Sequence, residues 1–79
     1  MKIVEVHFED PTTYNHWSDK DTIASSCCRV CIARGSLFED SERYIKVCLL
    51  GSDDGETFSD WVVIPKGCMV DFKEIGDVE

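Results

Sequence analysis

The sequence predicts an all-β chain: five short strands that close on themselves as a small, strongly bent barrel. Three observations lead there. The run Val62 to Phe72 is apolar, breaks at Pro65-Lys66-Gly67 and then resumes, which reads as strand, tight turn, strand. Two more apolar runs upstream are joined by the acidic segment Glu39 to Arg43. Near the N-terminus Val4, Val6 and Phe8 alternate with Glu5 and His7, the period of a half-buried strand.

Taken in order, the first strand covers Lys2 to Phe8. Glu9 to Ser26 turns polar, with Asp10-Pro11 marking a turn and Ser18 to Ala24 offering at most one helical turn. Long irregular segments in small domains tend to carry function, and this one holds Tyr14, His16 and Trp17 within four residues. Cys27 to Phe38 is the second strand, with a bulge or bend expected near Arg34-Gly35. Tyr44 to Leu50 is the third, with Ile45, Val47 and Leu49 on one side. Gly51 to Glu56 is a turn, Phe58 to Ile64 the fourth strand, and Met69 to Ile75 the last. Gly76 to Glu79 is expected to fray.

The chain's 79 residues make one domain, residues 1–79, which buries only roughly 60% of the surface its unfolded form exposes. Domains this small are commonly reinforced by disulfides, a metal or self-association, and self-association is the preferred expectation. Sixteen acidic against eight basic residues give a net charge of −8. That balance disfavours direct binding to a nucleic-acid backbone, which relies on Lys and Arg. It suits a basic partner, or serves solubility alone. The acids gather in turns, at Glu39, Asp40 and Glu42 and again at Asp53, Asp54 and Glu56. Solvated loops account for that pattern better than mimicry of DNA does.

Five cysteines raise three readings: a disulfide scaffold, a zinc site or buried thiols. Met1 to His7 carries no long apolar segment, so neither a signal peptide nor a membrane span is expected. A cytoplasmic location follows, and there disulfides are rare. Cys28 and Cys31 have the spacing of a zinc knuckle, with Cys27, Cys48, Cys68, His7 and His16 as remote ligands. Read as part of a strand, however, residues three apart face opposite ways, and a second pair of this spacing is missing. Thiols acting as small hydrophobes are the preferred reading, and no cofactor or metal is expected.

No nucleophile motif, phosphate loop or regular calcium loop occurs, so a non-catalytic protein is expected. The aromatic residues are the best contact candidates, since Trp and Tyr dominate interface hot spots. Trp61 faces opposite to Val62 and Ile64. If those point inward it points out, and the Trp61–Val63 side becomes a second surface suited to oligomerisation. Trp17 has two readings of equal weight, a cap over an open barrel end or an exposed contact. Arg29, Arg34, Arg43, Lys46 and Lys66 are the cations of the strand region that could meet a phosphate.

The expected arrangement is of the SH3-like or Sm-like kind. The chain also resembles a group of short proteins encoded by bacteriophages and prophages. The likeness lies in Lys2 to Asp10, Trp17-x-Asp19, Gly35-x-Leu37 before an acidic turn, and Ile64-Pro65-Lys66 before a final apolar strand. The clustered cysteines fall outside that pattern. The resemblance implies a binding protein of the host cytoplasm that blocks a component of bacterial defence. The alternative is an oligomeric sponge for a nucleotide immune signal, and a further one is a phage structural or regulatory piece. Contact residues on these readings are Tyr14, His16, Trp17 and Trp61, with Arg29 and Arg34 for an anionic ligand.

Overall fold

A computed structural model describes residues 1–11, 13–52 and 54–77. It forms one five-stranded, wholly antiparallel sheet: β1 (Lys2–Asp10), β2 (Arg29–Asp40), β3 (Tyr44–Gly51), β4 (Phe58–Pro65) and β5 (Met69–Asp77). The strand order is β4-β3-β2-β1-β5, so β4 and β5 are the two edges and the sheet is not closed by backbone pairing. A six-residue helix, α1 (Lys20–Ser25), interrupts the first connection, and a single 3-10 turn (Lys66–Cys68) joins β4 to β5.

β2 is the hinge of the architecture. Its first part, Arg29 to Ser36, pairs with β1, and from Ser36 onward it pairs with β3. Ser36 faces both Ile3 and Cys48, and the β2–β3 register shifts between Leu37 and Glu39. The bulge therefore lies past the expected Arg34-Gly35, which keeps regular pairing with Glu5 and Val4. Gly35 has a different job: a Cβ there would lie 2.2 Å from the Cys48 carbonyl oxygen. Its missing side chain lets β3 cross close over β2.

The alternation read from the sequence then sorts the side chains. Val4 and Val6 of β1, Ala33 of β2, Ile45 and Val47 of β3 and Ile64 of β4 make the buried core, with Phe8, Leu37, Val62 and Met69 packed at its margin. Fully burying one such aliphatic side chain contributes about 1.5–3 kcal/mol. Among the described residues the only helix buries none of its own. The core is thus covered by the sheet bending over itself. The 3-10 turn is tied to the β2–β3 connection: Lys66 N–H donates to the Arg43 carbonyl at 2.8 Å, continuing the β3–β4 ladder, and the Lys66 ammonium meets Asp40 at 2.6 Å.

Several expectations shift. Asp10 and Asp40 extend β1 and β2, and Gly76 and Asp77 belong to β5 rather than a frayed end, whose last two residues lie outside the described set. Cys27 and Cys28 precede β2 instead of opening it, so they are not strand residues of opposite facing. Leu49 is exposed, unlike Ile45 and Val47, because β3 leaves β2 after Cys48. The helix exceeds the single turn expected; Asp19 caps it, accepting from Thr22 N–H at 2.8 Å.

Candidate functional site

Two surfaces of the bent sheet carry chemistry, one aromatic and one ionic. The aromatic one lies on the outer side of β2, β3 and β4. A regular strand would put Phe58 and Trp61 on opposite faces, but Asp60 takes φ +56° and turns the chain between them. Asp tolerates this left-handed conformation better than most residues. Both rings consequently line one recess of about 270 Å3, together with Phe38 from β2 and Lys46 and Cys48 from β3. Phe38 and Phe58 meet edge to face, with ring centroids 5.4 Å apart. The Cys48 thiol is buried beneath them, while Trp61 remains 63% exposed. At the rim the Lys46 ammonium is 3.3 Å from Glu39 and 5.4 Å from the centre of the Tyr44 ring. The expected outward facing of Trp61 and Val63 is present: both are exposed, opposite Cys48 and Lys46 on β3.

The ionic surface centres on Glu5, buried in the middle of the β2-β1-β5 half. Register places Arg34 opposite it on one side and Lys73 on the other. Arg34 Nε donates to Glu5 at 2.5 Å, Lys73 Nζ lies 3.1 Å away, and His7 Nε2 lies 3.1 Å away. Led by the Arg34 hydrogen bond, then those of Lys73 and His7, these partners lower the Glu5 pKa from 4.5 to about 2. A carboxylate taken into a sheet is tolerable only when paired in this way.

The residues expected to form one contact surface fall in three places. Tyr14 and His16 stack edge to face at 6.2 Å in the first connection, where they line a separate recess with Thr22 and Ile23. Trp17 stands beside them and is completely exposed. The reading of Trp17 as a cap over the core fails, because the connection projects from the core instead of folding across it: every described residue from Glu9 to Val30 is exposed. Trp61 belongs to the aromatic recess. Arg29 sits at the root of the projecting segment, paired in register with Asp10, and Arg34 is committed to Glu5.

Three of the expected cations are held apart: Arg34 faces Glu5, Lys46 faces Glu39 and Lys66 faces Asp40. Lys46 and Lys66 line different recesses. The acidic turn is self-contained: Ser52 Oγ bonds to Asp54, and Asp54 also accepts from Glu56 N–H at 2.9 Å. The Ser52 bond and then the backbone bond hold the Asp54 carboxyl below its usual pKa. Asp53 lies outside the described residues. All five cysteines are free thiols, and among the described residues no three of His, Cys, Asp and Glu come together as a metal site. None of the described helices is long and apolar enough to cross a membrane.

Phe38 and Phe58 join Trp61 without a signal in the sequence pattern. Phe38 ends a predicted strand and Phe58 begins one, so alternation says nothing about their meeting. An acidic residue before Trp61 gave no signal of the turn at Asp60.

Fold and surface define a class: a small acidic antiparallel β protein with an aromatic recess on the outer face of its sheet and a projecting, exposed first connection. No protein-family model matches the chain, and comparison with curated proteins and with solved structures gives no match.

Proposed function

We propose that this chain is a non-catalytic, protein-binding module of the SH3-like barrel type, acting against a component of bacterial defence in the host cytoplasm. The barrel reading draws support from the strand order, the long first connection, the 3-10 turn between β4 and β5, and the change of partner along β2. The direction of action rests on the resemblance to phage-encoded proteins.

One observation carries the binding reading. Phe38, Phe58 and Trp61 are gathered outside the core, with Trp61 63% exposed. Aromatic side chains of this kind anchor protein interfaces, since they bury large area for little conformational entropy. Lys46 and Glu39 at the rim supply the polar edge that orients a partner. Sequestration of a nucleotide would instead require convergent free cations, and Arg34, Lys46 and Lys66 each face a carboxylate.

The test is phage plating on bacterial strains that each carry one defence system, with and without this protein. The wild type is expected to restore plating on at least one strain, and a Trp61→Ala variant with an unchanged circular dichroism spectrum is expected to fail there. Restoration by Trp61→Ala equal to the wild type would refute the recess as the contact. Restoration on none would refute the anti-defence role.

A further inference from the structure

The folded chain exposes 6242 Å2, whereas a compact monomer of its size exposes about 4,900 Å2. The excess, roughly 1,400 Å2, exceeds the ~800 Å2 that each partner contributes to a standard interface. Shape says the same: the radius of gyration is 15.9 Å and the longest dimension 53 Å, against a radius of about 12 Å for a compact chain of this length. The segment between Glu9 and Val30 adds exposed surface without adding to the core. It contributes no described side chain to the core, yet carries Tyr14, Trp17 and Ile23, each more than half exposed.

This projecting arm holds both halves of a self-complementary contact. Trp17 is 102% exposed, an indole with nothing packed against it. Beside it Tyr14, His16, Thr22 and Ile23 line a recess of about 320 Å3 that Trp17 does not line. That is at the lower end of the ~300–1,000 Å3 typical of small-molecule sites, and suits a single large side chain. A two-fold dimer requires one patch bearing both a knob and its hole, so that each protomer gives and receives the same contact.

We propose that two copies of this chain associate arm to arm, the Trp17 indole of each entering the Tyr14–His16–Ile23 recess of the other. The exchange buries the most exposed aromatic residue of the chain and supplies the association that so small a core calls for. It leaves the Phe38–Phe58–Trp61 recess of both protomers free, so the dimer presents two equivalent binding surfaces and gains avidity for a repeated or oligomeric target.

Sedimentation equilibrium of the 79-residue chain tests this, alongside Trp17→Ala, Ile23→Asp and Trp61→Phe. Neither Trp17 nor Ile23 is in the core, so their variants are expected to keep the wild-type circular dichroism spectrum. The wild type is expected to be a dimer. Trp17→Ala and Ile23→Asp should each weaken it by about thirtyfold or more, the scale of an interface hot spot. In Trp61→Phe, whose sole indole is Trp17, fluorescence should shift to the blue as concentration rises through the dimerisation range. A wild-type monomer at every concentration overturns the proposal. So does a dimer indifferent to either arm substitution, or one in which Trp17 emission stays that of a water-exposed indole. None of these readouts uses plating or partner binding at the Trp61 recess, so failure here and failure of the binding reading are distinguishable.

Discussion

The body and the arm of this protein obey different rules. In the body, alternation places Val4, Val6, Ile45, Val47 and Ile64 on one side of successive strands, and all five are essentially inaccessible to water. The arm grows from β1 and β2, carried past Phe8 and Cys31, but none of its described residues is covered. Its order is local: a register pair between Asp10 and Arg29, the Asp19 cap and the backbone bonds of a short helix. The difference teaches that hydrophobic residues alone do not make a core. Ile23 is as apolar as the core isoleucines, yet in the single chain it and Trp17 remain exposed, because the segment around them does not fold back over the sheet.

The sharpest way to break the contrast is at Gly35. Valine there must push its Cβ into the Cys48 carbonyl, 2.2 Å away, and neither backbone can yield without undoing the bend. A loss above about 4 kcal/mol is expected, close to the whole stability of a small domain, seen as the absence of a cooperative thermal transition. Next comes Ile45→Ala, a cavity in the centre of the core, expected to cost about 2–5 kcal/mol by urea denaturation. Ile23→Ala, measured in the same way on dissociated protein, should change stability by less than about 0.5 kcal/mol. Equal effects from the two isoleucines would erase the distinction between body and arm.

A smaller effect separates them by pH. Glu5 has its pKa lowered in the folded protein by Arg34, Lys73 and His7, to about 2 from 4.5. A depressed carboxylate stabilises the fold fully above its unfolded pKa and ceases to do so as pH falls through the folded one. The thermal midpoint should therefore decline between pH 4.5 and 2. Glu5→Gln should be less stable than the wild type at neutral pH, with the gap narrowing across that window. A gap independent of pH would show that the loss is one of packing. The smallest effect belongs to Asp19→Ala. It removes the cap on Thr22, so hydrogen exchange of the α1 amides should quicken while protection of the β1 and β3 amides holds.

Much of the fold is legible in the residues, and the reason is local. A strand half-buried on one face must alternate, so Val4, Val6 and Phe8 announce β1, and Pro65-Lys66-Gly67 announces the break before β5. The outward facing of Trp61 follows from the same period. The position of the bulge is another matter: a glycine at 35 advertises an irregularity, but whether it bends the strand or admits a neighbour depends on what crosses it. The candidate site is only partly readable for that reason. Trp61 was identifiable alone, whereas Phe38 and Phe58 join it through a partner change along β2 and a left-handed residue at Asp60.

What the sequence by itself determined is the set of strands, their order along the chain and which side chains seek the interior, all consequences of a two-residue period and of turn chemistry. Tertiary structure alone decided where β2 changes partner, that Glu5 sits between Arg34 and Lys73, and that Trp17 stands exposed on the single chain rather than packed over the core. Each of these joins residues distant along the chain. Periodicity specifies the facing of a side chain on its own strand, but carries no information about which other segment packing will bring to meet it.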